Sequence, residues 1–265
     1  MTLRGLSFRA VRFVLTAARA IASPFAYQAL CEYIAREALR EMGIGTTEDF
    51  QANGEAAFIG RLPAGSCVVD VGAHTGDFAR AVQKSVPRAT VHCFEPAPGP
   101  YAELRLISGI VANNVALGDK SGMVEMYADR PGSKLSSFYK RRLDHFGIQF
   151  AHRQSVTVDT LDAYCARTGL DSIELLKLDA EGHELSVLRG ARVVLSRGVI
   201  RKILFEFGGT DIDSRTFLQD FYYLLSEHGY TLHRLQKDGF LYPIPEYQEL
   251  YEQFAYTNYV ALYKG

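Results

Sequence analysis

The stretch Cys67-Val68-Val69-Asp70-Val71-Gly72-Ala73-His74-Thr75-Gly76-Asp77-Phe78 decides how the chain folds. It opens on an apolar run rich in β-branched residues, the composition of a strand buried on both faces. Two glycines separated by three residues follow. A helical pattern then begins, with Phe78, Ala79 and Val82 on one face. Strand, glycine turn and helix in this order open a nucleotide-binding α/β unit. Glycines let backbone N–H groups approach a ligand, and the helix start adds partial positive charge. Asp70, near the strand's end, can orient the loop or meet a cationic group.

The loop separates two ligand classes. Dinucleotide-binding loops read G-x-G-x-x-G, and the middle glycine makes room for pyrophosphate. Here the run is D-V-G-A-H-T-G, without that glycine. An acid ahead of G-x-x-x-G suits a nucleoside carrying an amino-acid moiety, such as S-adenosylmethionine. Downstream, Thr90-Val91-His92-Cys93-Phe94-Glu95-Pro96 reads as a second strand ending in an acid. Glu95 lies roughly 20 residues beyond the loop, where a carboxylate accepts hydrogen bonds from ribose hydroxyls.

A third stretch carries chemistry: Lys177-Leu178-Asp179-Ala180-Glu181-Gly182-His183-Glu184, at the end of an apolar strand beginning at Ile173. Period-two geometry sets Lys177 and Asp179 on one side, joined by Glu181 if the strand persists. Charges in so apolar a strand need partners. A structural Lys177–Asp179 pair and a reactive cluster facing the ligand are the two readings, and the second is favoured. The candidate base is Asp179 or Glu181, with His183 a further option and Lys177 placed to tune the carboxylate or touch the acceptor. Asp179, Glu181 and Glu206 would be the set for a divalent ion, but no His-rich ligand set accompanies them and no metal is expected.

The rest of the chain frames these stretches. The formal net charge of -1 offers no global attraction to nucleic acid. Cys31, Cys67, Cys93 and Cys165 are far apart in sequence, which suits free thiols in a reducing cytoplasm, with Cys67 and Cys93 expected to be buried. Residues 1–27 carry Arg4, Arg9, Arg12 and Arg19 and no acid, interspersed with Leu6, Phe8, Phe13, Val14, Leu15 and Ile21. Three readings stand open: a basic amphipathic helix on an anionic membrane, a targeting segment, or a cap helix on the main domain. Arginine interrupts the run too often for it to span a bilayer. A second helix is expected over 25–42, and a third from Thr46-Thr47-Glu48-Asp49 towards Leu62. The residues from Ile110 to Leu117 read as one strand, with a hairpin partner at Met123–Tyr127. Asn113, Asn114 and Ala116 lie near the expected adenine end of the cleft, where one asparagine could bond a ring edge or both could shape a turn. Residues 129–152 read as a lid or substrate loop, whose Lys140-Arg141-Arg142 run reads as a solvated face. Asp159 is a plausible helix N-cap, and one helix is expected over 185–195. The tyrosine-rich segment from Leu241 to Tyr256 either lines a pocket or packs on the sheet.

Five segments together resemble the FkbM family of S-adenosylmethionine-dependent methyltransferases. They are Val69-Asp70-Val71-Gly72-Ala73-His74-Thr75-Gly76, Phe94-Glu95-Pro96, Asn114-Val115-Ala116-Leu117-Gly118, Val158-Asp159-Thr160-Leu161 and the run from Lys177 to Glu184; Phe205-Glu206 matches more weakly. The resemblance covers residues 63–209 and the closing strand. It implies a Rossmann-like class I methyltransferase fold: an α/β domain over 63–265, with a seven-stranded, mostly parallel sheet whose last strand is antiparallel. Residues 1–62 would be an N-terminal helical extension. It also implies O-methylation of a sugar, glycan or natural-product hydroxyl. The cofactor would be held by the loop residues Gly72, Ala73 and Gly76, with Asp70 and His74 beside them. Glu95 and Pro96 would face the ribose, and Asn114 and Ala116 the adenine. The competing expectations are a nicotinamide-dependent oxidoreductase on the same sheet, weakened by the missing glycine, and a non-catalytic membrane-docked module. The charge and the lack of an N-P-P-Y-like motif weigh against nucleic-acid methylation.

Overall fold

The computed structural model describes residues 3–47 and 49–265, with residues 3–9 described by backbone alone. Glu48, part of the expected third helix start, lies outside the described residues. Two long helices, α1 (Leu3–Ile21) and α2 (Pro24–Glu41), precede a short α3 (Glu55–Ile59). Then come β1 (Cys67–Val71), α4 (Asp77–Ser85), β2 (Thr90–Phe94), α5 (Pro98–Leu104), β3 (Ile110–Asn113), β4 (Ala116–Leu117), β5 (Gly122–Ala128) and β6 (His152–Asp159). The second half runs α6 (Leu161–Thr168), β7 (Ile173–Leu178), α7 (Glu184–Arg189), α8 (Arg192–Ser196), β8 (Ile200–Phe207), α9 (Gly209–Ser214), α10 (Leu218–Glu227), β9 (Tyr230–Leu235), β10 (Leu241–Ile244) and β11 (Thr257–Tyr263).

The main sheet has the order β10-β9-β11-β8-β7-β1-β2-β3. β1 lies between β2 and β7, parallel to both, and β11 runs antiparallel to β8 and β9. The expected architecture is therefore present, with eight strands rather than seven: β10 pairs with β9 as an added edge. Apolar residues line both faces of the central strands. Val69, Leu176 and Phe205 pack into one cluster with α6, α7 and α10. Val68, Leu175 and Leu204 pack into a second cluster beneath α3 and α4, where Phe78, Ala79 and Val82 are buried as their spacing predicts.

Several expected elements divide. The run from Ile110 to Leu117 is two strands in different sheets: β3 extends the main sheet beside β2, and β4 turns away to pair with β6. β5 pairs with β6, thirty residues downstream, rather than forming a hairpin with the preceding strand. The expected helix over 185–195 breaks into α7 and α8 at Gly190, where a side chain would strike the Gly118 carbonyl. The N-cap of α6 is Thr160, whose hydroxyl accepts from Ala163 N, while Asp159 accepts from Thr160 N and pairs with Arg167. The third helix covers only five residues, because Gly54 enters it at a φ of 95° and the preceding segment is turn. Cys93 is buried but Cys67 only half so, and all four cysteines are free.

Ile44, Phe58 and Ile59 are buried, the latter two in the cluster beneath α4. Before them, α2 contains no buried residue.

Candidate functional site

The central strands end in polar groups on a single face. Asp70, Lys177 and Glu206 each follow a core residue, Val68, Leu175 and Leu204, by two positions. Period-two alternation therefore carries the apolar face of α3 and α4 into a polar row at the carboxyl edge, where open α/β sheets bind ligands. Asp70 stands beside Lys177 across the β1–β7 pairing. Glu55 of α3 and Asn258 of β11 complete the row, with Asn258 Nδ2 donating to Glu55 Oε1 at 2.9 Å.

This row concentrates carboxyls around one ammonium. Lys177 Nζ sits 2.8 Å from Asp179 Oδ2, with only 6% of the lysine exposed. Burial pulls the ammonium pKa down, but the carboxylates of Asp179, Asp70 and Glu55 outweigh it and raise the group above its ordinary value. Asp70 is fully buried and neither of its carboxylate oxygens has a hydrogen-bond partner. Burial raises its pKa to about 6, against the opposing pull of Lys177. Burial likewise raises Glu206 well above the ordinary range, helped by the charges of Asp179 and Glu181. A buried acid with two orphaned oxygens is costly unless something supplies a donor. The open space next to it is where that donor must come from.

The glycine turn is held by the ends of β2 and β7. Gly72 N and Ala73 N both donate to the Phe94 carbonyl at 3.0 Å. Gly72 has a φ of 81°, and a Cβ there would collide with the Asp179 carbonyl. Its missing side chain thus admits the β7 chain end as well as any ligand. Gly76 serves packing, since a side chain would meet Leu104 and Ile107. His74 takes a left-handed φ of 46°, and its N–H donates to Glu95 Oε2 at 2.9 Å. Glu95 Oε1 accepts from Ala97 N at 2.7 Å, so the carboxylate is oriented from both sides. Burial nevertheless raises its pKa to about 7, with those two N–H groups pulling the other way.

Two cavities meet at this edge. The larger, about 450 Å³, reaches from Asp70, Lys177 and Glu206 to Phe50, Phe78 and Tyr256. The smaller, about 70 Å³, lies between Phe94, Glu95, Pro96 and Ala116 on one side and Met126 and Phe138 on the other. Gly72, His74, Lys134, Asp179 and Glu181 line both. The small sheet of β4, β5 and β6 supplies part of the second cavity's wall through Ala116, Leu117 and Met126.

Residues 129–142 close over the junction. His74 Nε2 lies 3.1 Å from the Gly132 carbonyl, and Ser137 Oγ donates to the Glu181 carbonyl at 2.7 Å. Arg141 Nη1 donates to Glu181 Oε2 at 2.7 Å, and its Nε lies 3.6 Å from Asp213 Oδ2. Arg141 is therefore a wall of the larger cavity and not part of a solvated face; its local sequence holds no signal of this, because its partners lie 40 and 72 residues downstream. Glu181 has a left-handed φ of 52°, the second such non-glycine residue at the junction after His74. Left-handed non-glycine residues cluster at functional sites.

Of the residues expected from sequence, Asp70, Gly72, Ala73, His74, Lys177, Asp179 and Glu181 line the larger cavity, and Glu95, Pro96 and Ala116 the smaller. Three fall elsewhere. His183 lines neither cavity: its ring packs on Phe138 at 4.6 Å, its Nδ1 lies 3.3 Å from Tyr139 Oη, and burial lowers its pKa to about 4. The backbone turns sharply at Glu181-Gly182, carrying His183 behind the junction. Asn114 also lines neither; its amide donates to the Glu95 and Pro96 carbonyls and braces the end of β2. Gly76 sits in helix packing. Asp179, Glu181 and Glu206 do not converge as a metal set, and no cluster of three or more His, Cys, Asp or Glu able to hold an ion occurs among the described residues. Glu55, Asn258, Phe50, Thr210 and Tyr256 join the site only through the fold.

The Methyltransferase FkbM domain matches residues 70–232. The 2-O-methyltransferase NoeI of Sinorhizobium fredii is 28% identical over 149 residues, covering 49% of this chain and 59% of that protein. Methyltransferase 1 of Beauveria bassiana is 30% identical over 148 residues, with the same coverage of 49% and 59%. The chain thus spans about six tenths of the length of these two relatives. The 31-O-demethyl-FK506 methyltransferase FkbM of Streptomyces tacrolimicus is 30% identical over 199 residues, covering 64% of this chain and 75% of that one. The domain match contains the glycine turn, Glu95 and the β7 acids, and it extends over more than half of the sequence: the chain belongs to the FkbM family of methyltransferases.

Proposed function

We propose that this chain is an S-adenosylmethionine-dependent O-methyltransferase acting on a hydroxyl of a sugar, glycan or natural product. The observation that carries the reading is the junction of two cavities at Asp179, one walled by Glu95 and apolar groups and the other by the polar row and aromatic rings. Two relatives, a 2-O-methyltransferase and a 31-O-demethyl-FK506 methyltransferase, support the hydroxyl as the reacting group.

The residues fit the cofactor. Glu95 presents an oriented carboxylate to a ribose diol, and Ala116, Leu117 and Met126 offer an apolar slot for a base. The orphaned oxygens of Asp70 suit the ammonium of an amino-acid moiety, which would restore their missing donors. When bound, S-adenosylmethionine supplies an electrophilic methyl group on a sulfonium. The protein's part is to hold an acceptor oxygen in line with that group, a positioning effect worth several kcal/mol, roughly 7–11 at its limit. Phe50, Phe78 and Tyr256 give the acceptor apolar faces, and Thr210 a hydroxyl. Asp179 takes the acceptor's hydroxyl proton. Lys177 fixes Asp179 through Oδ2, and Arg141 fixes Glu181 beside it.

The test is Asp179→Asn. Turnover should fall at least 100-fold, in the range general-base removal produces, while S-adenosylhomocysteine affinity, read by calorimetric titration with and without divalent ions, stays within a few-fold. The acceptor is found by a methyl-transfer screen over hydroxylated metabolites. Full activity of the variant would remove Asp179 from the mechanism.

A further inference from the structure

The helical hairpin of α1 and α2 is the part of the molecule that the candidate site leaves unexplained. α2 buries no residue, and α1 packs on α2. Phe13 is 74% exposed, Ile21 89% and Phe25 86%. Val11 and Val14 are exposed as well. An isolated helix of this length is marginal in water, and its stability comes from covering an apolar face. In this hairpin that face is bare.

The charges beside it say what covers it. Residues 1–27 hold Arg4, Arg9, Arg12 and Arg19 and no carboxylate. Val14 and Ile21 share one side of α1 by their spacing of seven, and Arg12 and Arg19 share another, roughly 160° round the helix. Both arginines are exposed. An apolar side backed by an arginine side without acids is the pattern of a helix lying in the plane of an anionic bilayer surface, its guanidinium groups reaching back along their stems to lipid phosphates. No helix among the described residues is long and apolar enough to cross a membrane. α2 carries Glu32, Glu37 and Glu41 beside Arg36 and Arg40, so the acid-free positive charge is confined to α1, and two copies of α1 laid together would repel. The segment just past α2 is tied to the main body: Gln236 Nε2 donates to the Met42 carbonyl at 2.8 Å, and Gly45 N to the Tyr256 carbonyl at 2.9 Å.

We infer that α1 docks this protein on anionic lipid surfaces, with Phe13, Val14 and Ile21 entering the interface and Arg12 and Arg19 contacting headgroup phosphates. The inference stands apart from the methyl-transfer reading, because binding is measured without cofactor or acceptor. The experiment is co-sedimentation of the full chain with vesicles of phosphatidylcholine, alone or mixed with phosphatidylglycerol. Binding is expected for the mixed vesicles and should weaken with added salt. Arg12→Gln with Arg19→Gln should lower the partition coefficient roughly 30-fold, and Phe13→Ser with Ile21→Ser should lower it as well. Both variants alter exposed side chains, so their melting midpoints should match the parent's. Equal partition onto both vesicle types, or partition unchanged in either variant, would overturn the inference. So would a concentration-dependent dimer that Phe13→Ser with Ile21→Ser abolishes.

Discussion

Glu95 shows how a single residue couples ligand and pH. Its pKa is raised to about 7 by burial, so near neutrality the protein without cofactor holds it partly protonated. A ribose diol donates to the carboxylate and not to the acid, so binding favours the ionised form. S-adenosylhomocysteine affinity should therefore rise as pH increases from 6 to 8. Glu95→Gln should flatten the part of that dependence due to Glu95 and cost about 1.5–3 kcal/mol of binding, the range for a hydrogen bond to a charged group. Calorimetric titration across pH checks both, and a slope unaltered in the variant would assign the titration to another group. Asp70, with a pKa of about 6, is the neighbour whose share the comparison separates.

At the scale of elements, the segment over 129–142 governs entry. The cavity it covers holds about 70 Å³, well below the roughly 300 Å³ at which ligand pockets begin. The segment forms the outer wall of this cavity through Ser133, Lys134, Ser136, Ser137 and Phe138, so its position sets the room there. It is held by polar contacts, His74 to Gly132, Ser137 to the Glu181 carbonyl and Arg141 to Glu181 and Asp213, and by Phe138, whose ring packs on His183 and against Ala97, Met126 and Val156. S-adenosylhomocysteine should slow hydrogen exchange over 129–142 more than elsewhere in the chain, and Arg141→Ala should speed that exchange in the free protein. Protection confined to β1 and β2 would deny the segment a closing role. The sequence marks this stretch as a functional loop through its length and its Pro-Gly-Ser content. Its docking partners are separated from it by tens of residues, and no local pattern encodes them.

At the scale of the molecule, buried acids set the pH response. Asp70 near 6, and Glu95 and Glu184 near 7, all have pKa values raised by burial above those of an unfolded chain. A group raised in the folded state contributes stability below its unfolded pKa and loses that contribution as pH climbs through the folded value. The lowered pKa of His183 opposes this up to the ordinary histidine value of about 6.5. The melting midpoint of the cofactor-free protein should therefore fall between about pH 6.5 and pH 8, where only the acids titrate. S-adenosylhomocysteine should restore more of it at pH 8 than at pH 5, because it supplies donors to the ionised forms. Differential scanning calorimetry reads both effects; a midpoint that climbs steadily over this window would contradict the burial argument.

Local order determined much of this protein. The run from Cys67 to Phe78, the acid closing β2 and the Lys177-to-Glu184 stretch are each contiguous, and their periodicity alone assigns strand, turn, helix and the ligand edge of the sheet. The family resemblance follows from the same segments. Tertiary structure decided what depends on neighbours distant in sequence. Strand β3 ends at Asn113 because the chain must leave the main sheet to form β4, although Ile110 to Leu117 reads as one apolar run. Gly72 is required as much by the Asp179 carbonyl as by any ligand. His183 leaves the site because Glu181 and Gly182 reverse the chain before it. Glu55, Arg141 and Asn258 enter it because α3, the covering segment and β11 converge on one edge. Alternation along a strand is written in adjacent residues, whereas convergence is fixed only when the whole core packs.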